Sequence, residues 1–146
     1  MGAVLHRVSS FTGRRTLPAV AGNLDDGANA QLGPTILVVE DEPVLRTLLA
    51  ERLRDAGYAV VEAADADEAL EVLAHSFDIK LVLSDIQMPG SMDGLGLAHV
   101  IRSAYPAVKI VLTSGFAAPR GAEHDGFFPK PCDETELISR IRKLLG

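Results

Sequence analysis

The chain has 146 residues, 47% of them hydrophobic and 23% charged, which is enough for one hydrophobic core and short for two ordinary domains. The net charge of -6 argues against nucleic acid and anionic membranes as partners, because both attract basic surfaces. The single cysteine, Cys132, excludes an internal disulfide and fits the reducing cytoplasm, and no apolar run approaches the roughly 18 residues of a membrane-spanning helix.

The first 34 residues differ in composition from the rest. Arginines, then two aspartates, stand among Gly, Ala, Ser and Asn, without helical or strand periodicity. We expect residues 1–34 to form a flexible N-terminal extension, followed by one domain over residues 35–146. A binding arm or an upstream start-site artefact is the alternative for the extension.

The apolar run at residues 35–39, TILVV, is typical of a strand that is covered on both faces. The acids Glu40, Asp41 and Glu42 follow it directly. Adjacent carboxylates repel one another unless a cation or water neutralises them. Their alternative role is to stabilise the N-terminus of the next helix, whose first turn Pro43 suits.

Strand and helix patterns then alternate to the C-terminus. The second, third and fourth strands are expected at residues 58–63, 81–85 and 108–112. Asp65 or Asp67 would cap the second helix, and Asp133 with Glu136 would form a capping box for the last one. This order predicts an α/β fold, a doubly wound parallel sheet with helices on both faces.

The stretch from Leu81 to Gly94, LVLSDIQMPGSMDG, contains the main candidate site. Its apolar strand ends at Asp85, and Met88-Pro89-Gly90 then stops regular structure. Ligands of parallel α/β sheets bind at such strand ends, where the strand order changes direction. The residues expected at this edge are Glu40, Asp41, Asp85, Ser114 and Lys130. The alternative for Asp85 is a turn aspartate.

Four motifs together resemble the receiver domain of bacterial two-component response regulators: VVEDEP, SDIQMPGSMDG, VLTSG and FFPKP. The resemblance extends from Thr35 to Gly146. It implies a five-stranded, flavodoxin-like sheet of order 2-1-3-4-5. The segment between Ser114 and Lys130 is short and contains Pro119 and two glycines, so we expect the family's fourth helix to be short or irregular.

The resemblance also implies the chemistry of the site. Asp85 would accept a phosphoryl group from a sensor histidine kinase or a histidine phosphotransfer protein. Asp41, Asp85 and the backbone carbonyl of Gln87 would bind Mg²⁺, with Glu40 acting through a water molecule. Hard divalent cations prefer such oxygen ligands.

Three further residues carry implied roles in phosphorylation and switching. Lys130 would contact the acyl phosphate, and Ser114 would donate a hydrogen bond to a phosphoryl oxygen, with Thr113 as the rival for that role. Phe127 would turn inward when the domain switches. The alternatives are a solvated surface lysine, a turn serine and a core aromatic.

The expected function is that of a stand-alone response regulator, because the chain ends at Gly146, directly after the last predicted helix. It would signal by contact with an unidentified protein target. It would not be an enzyme beyond self-directed phosphotransfer and autodephosphorylation. The alternatives are a scaffold that acts without phosphorylation and a small phosphohydrolase; the second is disfavoured because Gln87 stands where haloacid dehalogenases have a second aspartate.

Overall fold

A computed structural model of the chain describes residues 33–76, 78–121 and 123–146, and these form an α/β domain. The strands are β1 Thr35–Val39, β2 Ala59–Ala63, β3 Ile79–Asp85, β4 Lys109–Ser114 and β5 Gly126–Pro129. The helices, labelled in chain order, are α1 Pro43–Asp55, α2 Ala66–His75, α3 Gly94–Ala104 and α4 Glu134–Leu145.

The five strands form one parallel sheet in the order β2-β1-β3-β4-β5. The predicted fold class and strand order are therefore confirmed. The order reverses direction between β1 and β3, which places the carboxyl ends of these two strands side by side. A crevice at this position is the usual ligand site of an open α/β sheet.

Two hydrophobic cores cover the two faces of the sheet. One contains buried residues of α2 and α3 packed on the strands, and the other contains buried residues of α1 and α4. Ile36, Leu83 and Leu112 are almost completely buried, as expected for strands that are covered on both faces. The sheet is therefore a rigid support for the loops at its carboxyl edge.

Acidic residues cap all of the helices that the structure describes. Glu42 accepts a hydrogen bond from the backbone of Val44 at 2.8 Å, so the helix-terminal role applies to this acid. Asp65, not Asp67, caps α2 through the backbone N of Glu68. The predicted capping role of Asp133 is confirmed, because its side chain accepts from the backbone of Thr135 and Glu136.

The connection between β4 and β5, residues 115–125, contains no helix in its described part, residues 115–121 and 123–125. The expectation of a short or irregular fourth helix is therefore confirmed. A hydrogen bond and an ion pair hold this connection against α3: His99 Nδ1 lies 2.7 Å from Glu123 Oε1, and Arg102 Nη2 lies 3.1 Å from Asp125 Oδ2. Asp125 also accepts from the backbone N of Ile110.

The N-terminal extension expected at residues 1–34 lies outside the described residues, except for Gly33 and Pro34. The backbone N of Gly33 donates to the carbonyl of Gly57. Within the described ranges, every helix is too short or too polar to cross a bilayer.

Candidate functional site

Asp85 is the last residue of β3, and the neighbouring chain holds it firmly. Its residue surface is 5% exposed. Ser84 Oγ donates to its backbone carbonyl at 2.9 Å, and the backbone N of Gln87 donates to Asp85 Oδ1 at 3.2 Å. The adjacent strand contributes the carbonyl of Thr113, which accepts from the backbone N of Ile86. The carboxylate therefore has a fixed position at the edge of the sheet.

Three carboxylates meet at the ends of β1 and β3. One oxygen each from Glu40, Asp41 and Asp85 lies within 4.8 Å of the other two. Glu40 is only 2% exposed, whereas Asp41 is exposed. Arg46 supports this corner, because its Nη1 donates to the Glu40 carbonyl at 2.7 Å. The sequence patterns did not identify Arg46, which contacts backbone alone at this point.

Lys130 supplies a positive charge to this cluster from the loop after β5. Its Nζ donates to Asp85 Oδ2 at 2.9 Å and to Glu40 Oε1 at 3.1 Å. The Lys130–Pro131 peptide bond is cis. One ammonium group therefore bridges two carboxylates at the ends of neighbouring strands, one directly after β1 and one at the end of β3.

The pKa values of Glu40 and Lys130 are both raised, but for different reasons. Burial raises the pKa of Glu40 above its ordinary value, against the lowering effect of its hydrogen bonds with the Glu42 backbone and Lys130. Burial alone would lower the pKa of Lys130, but hydrogen bonds and charges from Asp85 and Glu40 raise it above 10.5. Lys130 is therefore a cation throughout the neutral range.

The donor set fits a hard divalent cation. One lysine faces three carboxylates, which leaves excess negative charge at a partly buried position. Carboxylate and carbonyl oxygens are the ligands that Mg²⁺ prefers. Asp41 is exposed to solvent beside the two buried acids, so a cation has access to the cluster from this side.

Ser114, the last residue of β4, is completely buried and bonded to the loop after β3. Its Oγ donates to Gln87 Oε1 at 2.7 Å and accepts from the backbone N of Phe116 at 3.0 Å. The side-chain role of Gln87 was missed by the sequence analysis, which considered only its backbone carbonyl. No sequence pattern signals this bond, because Ser114 ends β4 and Gln87 lies in the loop after β3, 27 residues earlier in the chain.

Phe127, on β5, is partly buried against the core on the α2 and α3 side of the sheet. Its ring lies 6.5 Å from that of His124, measured between centroids. In this arrangement Phe127 packs as a core aromatic at the edge of the sheet. The structure therefore places it outside the charged cluster, next to the β4–β5 connection.

Sequence comparison gives one family for most of the chain. The family model for the response regulator receiver domain matches residues 36–142. The chain is 35% identical over 118 residues to the sensor kinase CckA of Brucella abortus, covering 76% of this chain and 12% of that protein. It is 42% identical over 117 residues to the probable transcriptional regulator ycf27 of Cyanophora paradoxa, covering 75% and 47%. The chain thus spans less than half the length of these curated relatives.

Structural comparison agrees with the family model. The response regulator TrrA of Thermotoga maritima, solved in complex with Mg²⁺-BeF, matches with a TM-score of 0.72 and 35% identity over 77% of this chain and 100% of that chain. The receiver domain of the hybrid histidine kinase CckA matches with a TM-score of 0.66 and 36% identity over 77% and 99%. With this fold, and with the family match over residues 36–142, the chain belongs to the response regulator receiver domain family.

Proposed function

We propose that Asp85 is the phosphoacceptor of a two-component or phosphorelay pathway. The observation that carries this proposal is the contact of Lys130 Nζ with Asp85 Oδ2 at 2.9 Å, inside a cluster of three carboxylates. An aspartate at a strand end, beside a fixed cation, is suited to bear a phosphoryl group whose charge must be neutralised. Residues 35–146 form the receiver domain in this proposal, and residues 1–34 are an extension of it.

The reaction is an in-line displacement at phosphorus. A carboxylate oxygen of Asp85 attacks the phosphoryl group of a phosphohistidine on the partner protein. The new P–O bond forms as the P–N bond breaks, and the imidazole leaves with the electron pair and takes up a proton. Phosphoryl transfer requires mainly positioning and charge stabilisation. Lys130 supplies both, because it fixes the carboxylate and stays close to the equatorial oxygens.

A bound Mg²⁺ would neutralise further charge on those oxygens. Asp41, Asp85 and the carbonyl of Gln87 would hold it, with Glu40 acting through a water molecule. The clustering of the carboxylates within 4.8 Å supports this assignment. The Mg²⁺-BeF complex of TrrA, which is 35% identical to this chain, supports it independently.

Ser114 and Phe127 are the proposed switch residues. The added phosphoryl charge, about -1.5 to -2, would attract the Ser114 hydroxyl and with it the start of the β4–β5 connection. Phe127 borders that connection and would follow its movement. The output would then be a changed protein-binding surface around residues 115–125.

The proposed donor is a sensor histidine kinase or a histidine phosphotransfer protein in the bacterial cytoplasm. The relatives that this chain matches over part of their length include the sensor kinase CckA and the transcriptional regulatory protein CpxR. The acidic composition of this chain favours a protein target over nucleic acid.

Intact-mass spectrometry tests the acceptor directly. The protein is incubated with a small acyl or amidate phosphate donor, with and without Mg²⁺. We expect a metal-dependent gain of one phosphoryl group, and its loss in Asp85→Asn. Asp78→Asn is the matched control, because Asp78 is an exposed acid that directly precedes the first residue of the same strand, β3. This variant should gain the phosphoryl group as the wild type does.

Two outcomes would contradict the proposal. If the wild type gains no mass at any Mg²⁺ concentration, the domain acts as a scaffold without phosphorylation. If Asp85→Asn gains as much mass as the wild type, another side chain is the acceptor.

A further inference from the structure

The only hydrogen of the Ser114 hydroxyl group is donated to a partner other than Asp85. A serine hydroxyl has one hydrogen to donate. In this structure the hydrogen goes to Gln87 Oε1 at 2.7 Å, and an oxygen lone pair accepts from the backbone N of Phe116 at 3.0 Å. Ser114 itself is 0% exposed, so water does not offer its hydroxyl another partner.

Gln87 connects the acceptor aspartate with this serine. Its backbone N donates to Asp85 Oδ1 at 3.2 Å, while its side chain accepts from Ser114. The two contacts use different parts of the residue. A substitution of the side chain therefore removes the bond to Ser114 and leaves the backbone N–H and the backbone carbonyl in the chain.

In the proposed function, on which this inference rests, Ser114 donates its hydrogen bond to a phosphoryl oxygen on Asp85. It cannot then donate the same hydrogen to Gln87. Phosphorylation therefore exchanges one acceptor for the other. The bond to Gln87 belongs to the unphosphorylated state, and its free energy counts against the phosphorylated arrangement.

We propose that the side chain of Gln87 is a positioning residue that holds Ser114 in the unphosphorylated arrangement and so weakens the uptake of a tetrahedral phosphoryl group. Gln87 acts through Ser114 and does not itself contact the phosphoryl group. The strength of the Gln87–Ser114 bond then sets how much phosphorylation is needed to switch the domain.

The same bond has a consequence for the surface of the domain. The backbone N of Phe116 donates a hydrogen bond to Ser114 Oγ, and Phe116 is 70% exposed. When the hydroxyl turns from Gln87 toward the phosphoryl group, the start of the β4–β5 connection loses its present support. An exposed aromatic residue would then take a new position, which a protein partner is able to recognise.

A double-mutant cycle with beryllium fluoride as the phosphoryl analogue tests this proposal. Wild type, Gln87→Met, Ser114→Ala and the double variant are titrated with beryllium fluoride at saturating Mg²⁺. Methionine has the length of glutamine, but its thioether is only a weak acceptor. The loss of one neutral hydrogen bond predicts that Gln87→Met binds the analogue about two- to ten-fold more tightly than the wild type. In the Ser114→Ala background, the same substitution should change the affinity by less than about two-fold.

A second readout follows the protein before any phosphoryl analogue is added. In Gln87→Met, the amide resonance of Phe116 should move toward its position in the wild type bound to beryllium fluoride. A residue that only stabilises the fold would not move this resonance in that direction.

The outcomes separate the two proposals. If the wild type does not bind beryllium fluoride with Mg²⁺, both the proposed function and the role of Gln87 are wrong. If the wild type binds it but Gln87→Met binds no more tightly, only the role of Gln87 is wrong. An equal effect of Gln87→Met in both backgrounds also rejects it, because Gln87 would then act independently of Ser114.

Discussion

Lys130 occupies a position at which it would compete with the proposed divalent cation. Its Nζ contacts Asp85 Oδ2 and Glu40 Oε1, two of the carboxylates that the cation would use. At distances of about 4 Å, unit charges near a protein surface interact by roughly 1 to 4 kcal/mol, depending on the local dielectric. We therefore expect Lys130 to reduce the electrostatic repulsion within the metal-free cluster and to lower the affinity of the cluster for a cation.

Replacement of this lysine should thus strengthen Mg²⁺ binding. We expect Lys130→Met to bind Mg²⁺ about ten-fold more tightly than the wild type by isothermal titration calorimetry. Without metal the variant should be less stable by about 1 to 3 kcal/mol, because two buried carboxylates lose a donor. Lys130→Arg, which keeps the charge, is the control. Weaker Mg²⁺ binding by Lys130→Met would show that the ammonium group does not oppose the cation.

At the scale of elements, the first turn of α3 lies directly against the end of β3. A Cβ atom on Gly94 would overlap the carbonyl oxygen of Asp85 and lie 2.7 Å from Ile86 Cα. These atoms all belong to the backbone of β3 and the residue after it, so they cannot move aside as a flexible side chain would. The absence of a side chain at Gly94 therefore allows α3 to approach the end of β3.

Gly94→Ala should destabilise the domain by about 2 kcal/mol or more and weaken Mg²⁺ binding, because the Asp85 backbone must move. Gly96→Ala is a control in the same helix. Its added Cβ would meet the flexible side chain of Met92, and alanine favours the helix by about 1 kcal/mol over glycine. Urea denaturation of both variants compares them. Equal stability of the two would show that the close approach at Gly94 has no energetic importance.

Most elements could be predicted from the sequence because their signals are local. The bounds of β1 are Thr35–Val39 in both the prediction and the structure, since a β-branched apolar run is a strong strand signal. The four residues of β5 include glycine and proline, so the resemblance to the family was needed to expect a strand there. The choice between Asp65 and Asp67 as the cap of α2 was also not local. Asp67 accepts from Ser91, which lies 24 residues further along the chain.

In the site, too, some contacts could be predicted from the sequence and others could not. The topology predicts that strand ends meet, and the structure brings Glu40, Asp85 and Lys130 together. The bond between Gln87 and Ser114 depends on the side-chain rotamers of one residue in the loop after β3 and one at the end of β4. Sequence spacing contains no information on such a contact. Roles that depend on phosphorylation, including that of Phe127, stay predictions.

At the scale of the whole molecule, the sheet holds carboxylates at its carboxyl edge, where the burial of their charge lowers the stability of the fold. Both sheet faces are apolar, so charge at the carboxyl edge is partly removed from water. Glu40 is 2% exposed, and burial raises its pKa above the ordinary value of 4.5. Protonation of Glu40 therefore stabilises the fold below pH 4.5, and this contribution is lost as the pH rises through the raised pKa.

Glu40→Gln should consequently stabilise the metal-free protein at neutral pH. Glutamine keeps an oxygen for Lys130 and carries no charge to bury, so we expect a gain of about 1 kcal/mol, or roughly 4 °C in Tm. Thermal unfolding should show this gain growing as the pH rises from 4.5 toward neutral and shrinking in saturating Mg²⁺, which neutralises the wild-type cluster. Asp41→Asn, at an exposed acid of the same cluster, should change stability by less than about 0.5 kcal/mol. A gain that is independent of pH would mean that the charge of Glu40 does not limit the stability of the fold.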